Sequence, residues 1–273
     1  MRSEFRGRCM NSSPADLQSR DNSLDELNRV RGLYLRMMEK CLVNTIYEDR
    51  SNHPDAADGF DSQARAHGLD WPVLAHSMIG SARMFHLRAM CEYVITQGVP
   101  GDFIETGVWR GGASIMMRAV LKAYGVTDRK VWVADSFSGM PVPDVGKYPR
   151  DAGANFYLYN GTLAISLEEV ENNFSKYGLL DDQVRFLKGW FKDTLPAAPI
   201  GRLALLRLDG DMYESTMDSL TSLYSKLSPG GIVIVDDYYL AYCHKAVHDF
   251  RDREGIGEPI EWIDQSGAFW EKQ

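Results

Sequence analysis

Short apolar runs alternate with stretches of helical pattern from residue 102 to residue 254, and this alternation constrains the fold more than any other feature of the sequence. The apolar runs are predicted strands, at Asp102–Glu105, Val131–Ala134, Val184–Leu187, Leu203–Leu208 and Ile232–Val235. Helical patterns follow most of them, near residues 112–124, 166–177, 214–227 and 241–254. Such alternation predicts βαβ units, and therefore an α/β fold whose parallel sheet has helices on both faces.

The end of the chain departs from this alternation. The runs Pro259–Ile263 and Ala268–Glu271 are joined by the residues Asp-Gln-Ser-Gly at 264–267, which form a good hairpin turn. We therefore predict a mostly parallel, seven-stranded sheet that ends in an antiparallel hairpin.

The region before the first strand is organised differently. Residues 1–25 are rich in Ser, Asn, Asp and Arg, which predicts a disordered tail. Apolar residues at helical spacing predict helices over Leu27–Ile46 and Met78–Gln97, so residues 26–100 form a helical segment ahead of a main domain at 101–273. Within that domain, residues 138–165 belong to a connection much longer than an ordinary βα loop, which predicts a functional lid.

Composition limits the function classes. The 273 residues carry a formal net charge of −8, which argues against a nucleic-acid partner because phosphate binding needs a basic face. The four cysteines form no Cys-x-x-Cys pair, so neither a zinc site nor a disulfide framework is expected. No run reaches the roughly 18 apolar residues of a membrane span, and the polar N-terminus lacks the pattern of a signal peptide. We expect a cytoplasmic protein without a membrane partner.

Glycines follow the first predicted strand, which ends at Glu105. Thr106 and Gly107 come next, and Gly111 and Gly112 follow a few residues later. Glycine lets the backbone approach a ligand closely, and the helix that begins here presents its N-terminus to a negative group. The spacing Gly-x-x-x-Gly-Gly differs from the Gly-x-Gly-x-x-Gly of a dinucleotide site. It predicts a nucleoside-cofactor loop, with a purely structural turn as the alternative.

The second predicted strand ends at Asp135 and Ser136. A carboxylate at the tip of the neighbouring strand is well placed to accept hydrogen bonds from both hydroxyls of a ribose. Either residue would also serve as the N-cap of a following helix. Beside the glycine turn, the ribose interpretation is favoured.

Four aspartates follow the last two parallel strands, with Asp209 and Asp211 after one strand and Asp236 and Asp237 after the next. Adjacent parallel strands lie about 4.8 Å apart, so these carboxylates should converge at the edge where open α/β sheets bind ligands. Without a cation such a cluster would repel itself. All-oxygen ligation suits Mg²⁺, with Ca²⁺ and Mn²⁺ as alternatives. Solvent-facing helix N-caps would explain one or two of these side chains but hardly all four.

Other candidates depend on position alone. Trp190 and Phe191 follow the third strand, where they could either stack on an adenine ring or belong to the core. Among the histidines, only His244 follows the aspartate-bearing strand closely enough to be a substrate-side candidate, although a helical histidine more often packs or faces solvent. Tyr238, directly after Asp237, is the second substrate-side candidate.

With these motifs in place, the chain resembles the macrocin-type sugar O-methyltransferases of antibiotic biosynthesis, which act on macrolide, aminocoumarin and related glycosides. The resemblance covers nearly everything from Leu33 onward, including GDFIETGVWRGGASI, VWVADSFSGMP, LALLRLDGDMYESTMD and LSPGGIVIVDDY. It implies a Rossmann-like class I methyltransferase that uses S-adenosylmethionine and a magnesium ion, commonly as a homodimer. A parallel sheet with a terminal antiparallel hairpin is the layout expected of that class.

The resemblance also implies roles for individual residues. It suggests that Asp209, Asp236 and Asp237 bind the metal and that Asp211 is the general base. From the sequence alone, the roles of Asp211 and Asp209 could be exchanged. The insertion after Phe137 would be the substrate-binding lid. The methionine part of the cofactor would lie along Glu105, Thr106 and Gly107, and its ribose would lie at Asp135 and Ser136. Met78, Ile79 and Gly80 would cover the cofactor.

The function expected from the resemblance is methyl transfer from S-adenosylmethionine to a deoxysugar hydroxyl of a glycosylated secondary metabolite. A catechol-type phenolic O-methyltransferase, which also uses acidic residues and a metal, is the alternative. A nicotinamide-dependent reductase would need Gly-x-Gly-x-x-Gly and often a Tyr-x-x-x-Lys pair, and the sequence contains neither. A non-catalytic binding module would have no need of four converging carboxylates.

Overall fold

A computed structural model describes residues 14–53 and 59–273, with side chains from residue 25 onward. Its sheet contains the strands β1 (Asp102–Thr106), β2 (Val131–Asp135), β3 (Val184–Lys188), β4 (Leu203–Leu208), β5 (Leu227–Val235), β6 (Glu261–Trp262) and β7 (Ala268–Glu271). The strand order is β3-β2-β1-β4-β5-β7-β6. The first five strands are parallel, β7 is antiparallel to β5, and β6 is antiparallel to β7. The predicted seven-stranded sheet with a terminal hairpin is confirmed.

The helices are α1 (Pro14–Leu42), α2 (Ser62–His67), α3 (Gly80–Thr96), α4 (Gly112–Ala123), α5 (Asn160–Leu163), α6 (Leu167–Lys176), α7 (Phe191–Thr194), α8 (Tyr213–Leu223) and α9 (Ala241–Glu254). Two hydrophobic cores lie on opposite faces of the sheet. Alternate residues of β1 divide between them, since Phe103 packs in one core and Ile104 in the other. Helices α1, α3, α4 and α6 cover the first face, and α8 and α9 cover the second. Strands buried on both faces explain the unbroken apolar runs in the sequence.

Two element boundaries differ from their predictions. Helix α1 begins at Pro14, so it includes half of the predicted tail, and the rest of that tail, residues 1–13, lies outside the described residues. Residues 14–26 are mostly polar and lack an apolar stripe, which is why periodicity did not detect this part of the helix. Strand β5 begins at Leu227 because this residue pairs with Leu203, before a register shift around Pro229 to Gly231. No helix within the described residues is long and apolar enough to cross a membrane.

The segment that leads into α3, residues 59–79, is called the strap. It is held by Arg65, whose side chain is fully buried. The Arg65 Nε donates to Asp70 at 2.8 Å, and its Nη1 donates to Asp49 at 3.0 Å and to the carbonyl of Val43 at 2.8 Å. These three charged residues form the Arg65 hub. The hub fixes the strap to the end of α1, at one side of the carboxyl edge of the sheet.

The lid (residues 138–165) is anchored at the same edge. The buried carboxylate of Asp151 accepts hydrogen bonds from the backbone N–H groups of Tyr213 (2.6 Å) and Glu214 (3.0 Å), so it caps the N-terminus of α8. On the other side, the Trp109 indole N–H donates to the carbonyl of Thr162 at 3.0 Å. The lid is therefore tied both to α8 and to the loop that follows β1.

Candidate active site

A cavity of about 610 Å³ opens at the carboxyl ends of β1, β2, β4 and β5. Residues at the end of these strands or directly after it form its floor: Gly107, Asp135, Asp209 and Asp236. The strap and the lid supply its walls, with Leu69, Trp71, Met78, Ile79, Met140, Val142 and Phe156. This position, beside the point where the strand order reverses between β1 and β4, is where open α/β sheets bind ligands.

The four predicted aspartates meet in this cavity and are called the carboxylate cluster. Asp209 follows Leu208 of β4 and Asp236 follows Val235 of β5, and these two strand residues are paired in the sheet. One oxygen from each of Asp209, Asp236 and Asp237 lies within 4.8 Å of the others. Asp211 is beside them in a left-handed backbone conformation (φ +57°), and its N–H donates to the Asp237 carboxylate at 3.3 Å.

Two buried arginines hold the carboxylate cluster from below and from the side. Arg207, which is 1% exposed on β4, donates from Nη1 to Glu105 at 2.6 Å and to Asp209 at 2.7 Å, and from Nη2 to Asp236. Arg83 of α3 donates to the other oxygen of Asp236. Both oxygens of Asp236 therefore accept from guanidinium groups, which fixes the plane of that carboxylate.

Negative charge exceeds positive charge in this part of the cavity. Burial, reinforced by the charges of Asp209 and Asp236, raises the pKa of Asp211 to about 7. Burial also raises the pKa of Asp209, and it raises that of Asp237 well above its ordinary value. A divalent cation fits these residues, because it would offset the unbalanced charge and the only donors offered are oxygens.

The turn after β1 needs its first glycine for a steric reason. Gly107 has φ +88°, and a Cβ at this position would overlap the carbonyl oxygen of Asp209. Only glycine therefore allows the β1 and β4 ends to approach this closely. Gly107 also lines the cavity, so the structural turn and the predicted cofactor loop are compatible.

Asp135 joins two loops at the cavity floor. Its carboxylate accepts from the N–H of Val108 at 2.8 Å and from the N–H of Phe137 at 2.7 Å. It does not cap a helix, and it lines the cavity together with Ser136. The oxygen that accepts from Phe137 also accepts from the Ser136 hydroxyl at 3.4 Å, whereas the oxygen that accepts from Val108 keeps a free lone pair for a hydroxyl, so the predicted ribose contact stays open to test.

Four more of the predicted cofactor residues line the cavity. Met78 and Ile79 reach it from the strap, and Trp190 and Phe191 from the loop after β3. Trp190 is 39% exposed, whereas Phe191 also packs against the core beneath α8 and α9. Phe191 therefore belongs partly to the core, whereas the exposed indole of Trp190 is available to stack on a ligand ring.

Glu105 and Thr106 are not part of the cavity lining, and the contact with the methionine part of the cofactor that the resemblance implies stays a prediction. Glu105 is 1% exposed and accepts from Ser114 and Arg207 beneath the floor. Burial raises the pKa of Glu105 to about 7, although the charge of Arg207 opposes this. Thr106 is equally buried and directs its hydroxyl toward the Arg207 carbonyl. Both residues support the site from below.

Tyr238 and His244, the predicted substrate-side residues, also lie outside the cavity lining. The Tyr238 side chain is buried, bonds His248 Nε2 through its hydroxyl at 2.8 Å, and packs on His244 and Trp262. The next residue, Tyr239, faces the cavity instead. The chain turns sharply after β5, so counting residues from the strand end did not predict which tyrosine faces the cavity.

Sequence reasoning did not identify either arginine. A detectable signal existed for Arg207, because a charged residue inside the apolar strand Leu203–Leu208 must find buried partners. For Arg83 no such signal existed, since its partner Asp236 lies 153 positions away along the chain.

Comparisons with known proteins identify the family of the chain. Residues 31–272 match the macrocin O-methyltransferase (TylF) family. The chain belongs to this family. The family resemblance noted from the motifs is confirmed, and the chain is an O-methyltransferase.

Individual members of the family are closely similar. The chain is 56% identical over 241 residues to the 8-demethyl-8-(2,3-dimethoxy-α-L-rhamnosyl)-tetracenomycin-C 4′-O-methyltransferase of Streptomyces olivaceus, covering 88% of this chain and 92% of the relative. It is 51% identical over 244 residues to the mycinamicin III 3″-O-methyltransferase of Micromonospora griseorubida, covering 88% and 96%. Among solved structures, the O-methyltransferase NovP is 51% identical and superposes with a TM-score of 0.84 over 89% of this chain and 99% of NovP.

Proposed function

We propose that this O-methyltransferase transfers a methyl group from S-adenosylmethionine to a hydroxyl of a deoxysugar on a glycosylated secondary metabolite, and that it requires a divalent cation. The observation that carries the proposal is the convergence of Asp209, Asp211, Asp236 and Asp237 at one cavity inside a macrocin O-methyltransferase fold. A sugar hydroxyl is almost wholly protonated at neutral pH, so its methylation needs a group that removes the proton.

Asp211 is suited to that proton transfer. With a pKa of about 7 it is about half ionised at neutral pH and more basic than an ordinary aspartate, which suits a general base. Asp209 is less suitable because Arg207 already donates to one of its oxygens at 2.7 Å. The geometry thus favours Asp211 over Asp209, which sequence reasoning could not separate.

The cation would be held by Asp209, Asp236 and Asp237, with Mg²⁺ as the expected ion. When bound, a divalent cation lowers the pKa of a coordinated hydroxyl and orients the group. The protein prepares the carboxylates for this role, because Arg207 and Arg83 fix Asp236 before any ligand arrives. Groups held in place beforehand need not be reorganised during the reaction.

The methyl donor would occupy the half of the cavity between the strap and the ends of β1 and β2. Gly107, Asp135, Ser136, Met78 and Ile79 line this half. The strap covers the donor and excludes water, while the acceptor enters beneath the lid. Most of the remaining catalysis is positioning, since the oxygen must approach the methyl carbon in line with the bond that breaks.

Support for a sugar acceptor comes from the relatives, whose names specify a rhamnosyl tetracenomycin and mycinamicin III. A catechol-type acceptor shares the carboxylate chemistry, so the acceptor class must be tested directly. A homodimeric assembly and a cytoplasmic location stay predictions.

A panel assay tests the proposed function. Purified protein is incubated with S-adenosylmethionine, Mg²⁺ and either deoxysugar glycosides or catechols, and products are identified by mass spectrometry. We expect a mass gain of one methylene on glycosides, located on the sugar by fragmentation. Methylation of catechols alone would contradict the sugar assignment and favour the phenolic alternative.

A further inference from the structure

Arg83 is the residue through which the strap contacts the carboxylate cluster. It lies near the start of α3, its side chain is 7% exposed, and its Nη1 donates to Asp236. Its Nε lies 3.3 Å from the carboxylate of Asp264, in the turn of the terminal hairpin. Among the ion pairs of the described residues, no other one joins a residue before β1 to the carboxylate cluster.

The remaining nitrogen of Arg83 faces the strap. Nη2 lies 3.4 Å from the carbonyl oxygens of His67 and Gly68, at the C-terminal end of α2. Gly68 has φ +63°, and a Cβ there would overlap Nη2 and the carbonyl of Ile79. The close packing of α2 on Arg83 and on the start of α3 therefore depends on this glycine.

Each of the three guanidinium nitrogens of Arg83 thus contacts a different segment of the protein. The group is planar and rigid, so its nitrogens cannot reorient independently. If the strap moved away from α3, Nη2 would lose both carbonyl neighbours and the guanidinium could rotate. The bond from Nη1 to Asp236 would change direction with it.

We propose that Arg83 is a positioning residue that couples closure of the strap over the methyl donor to the orientation of Asp236, and thereby couples donor binding to cation binding. The inference rests on the proposed function, which supplies both ligands. The coupling is reciprocal: the bound donor raises the affinity for the cation by the same factor by which the bound cation raises the affinity for the donor. Arg83 acts through Asp236 and the strap, not on the reacting atoms.

Calorimetric titration of the full-length, metal-stripped protein measures this coupling. S-adenosylhomocysteine is titrated with and without Mg²⁺, and Mg²⁺ with and without S-adenosylhomocysteine. For the wild type we expect each ligand to raise the affinity for the other about fivefold or more, and we call this ratio of affinities the coupling factor. In Arg83→Met both ligands should still bind, with a coupling factor near one. Arg83→Lys keeps the charge but not the planar fork, so it should restore the factor only in part.

Matched controls separate coupling from a general structural effect. Arg88→Met removes another arginine of α3, which pairs with Glu39 and Glu92, and should keep the wild-type factor. From the strap side, Gly68→Ala should lower the factor, whereas Gly178→Ala should not. Both glycines have φ +63°, but a Cβ at Gly178 meets nothing within 4 Å, so the two variants carry the same backbone strain.

Several outcomes would overturn the inference. A wild-type factor of one would do so, as would an unchanged factor in Arg83→Met. Weaker binding of both ligands with the factor preserved would show that Arg83 is merely structural. If the wild type binds S-adenosylhomocysteine but no Mg²⁺, the proposed metal site itself fails, and that result is distinct from two ligands that bind without affecting each other.

Discussion

Two of the buried arginine clusters in the described residues differ in their charge balance. In the Arg65 hub one guanidinium faces two carboxylates, a formal charge of −1. Around Arg207 and Arg83 two guanidinium groups face six carboxylates, a formal charge of −4 if all are ionised, from Glu105, Asp209, Asp211, Asp236, Asp237 and Asp264. The first cluster ties the strap to α1, whereas the second lines a cavity. An unbalanced buried charge is costly to the fold and therefore indicates a function.

The largest difference should appear in turnover. Asp211→Asn removes the proposed base and leaves its shape, so kcat should fall by roughly 10²–10⁴-fold. Binding of S-adenosylhomocysteine and Mg²⁺, followed by calorimetry, should be retained. Turnover at the wild-type rate would remove Asp211 from the role of base.

Disrupting the Arg65 hub should lower the stability of the fold. Arg65→Met leaves Asp49 and Asp70 buried without their partner, so unfolding should cost about 3–5 kcal/mol less. Denaturant titration measures this. The control is Arg29→Met, whose pair with Glu26 is 63% and 59% exposed, so its loss should leave the free energy of unfolding essentially unchanged. Equal effects of the two substitutions would contradict a structural role for the hub.

Substituting one aspartate of each cluster by asparagine should have different effects on stability. Asp70→Asn weakens a buried, charge-assisted hydrogen bond to Arg65 and should destabilise the protein by about 1–3 kcal/mol. Asp237→Asn relieves repulsion, so in chelator it should leave the thermal midpoint unchanged or raise it, while Mg²⁺ binding is weakened. A destabilised Asp237→Asn in chelator would argue against an excess of negative charge.

The last expected difference is a pH dependence of stability. Asp211 titrates near pH 7 in the folded protein and near 4 when unfolded, so between these values the folded state binds more protons. Stability of the chelated protein should therefore fall as pH rises from about 4 to about 7. Denaturation curves should show a shallower fall for Asp211→Asn, with the other buried carboxyl groups of raised pKa, Glu105 and Asp237 among them, responsible for the remainder. Identical slopes for both proteins would contradict the raised pKa of Asp211.

Sequence predicted the parts of the molecule that depend on local pattern. The parallel strands, the hairpin, and the convergence of Asp209, Asp236 and Asp237 followed from periodicity and from the geometry of adjacent strands. The direction of individual side chains did not follow, because Tyr238 and Tyr239 are neighbours in sequence yet face opposite environments. Of the two arginine partners of Asp236, Arg207 could have been suspected as a charge inside an apolar strand, whereas Arg83 was out of reach because its contact joins distant elements.

The proposed role of the carboxylate cluster is to hold a divalent cation that methyl transfer requires. The most direct measurement is the initial rate of transfer to a glycoside acceptor by protein treated with chelator, then dialysed and supplied with Mg²⁺. We expect loss of activity after chelation and recovery on adding Mg²⁺, with no recovery in Asp237→Asn at the same concentration. Full-rate methylation by metal-free protein would contradict it.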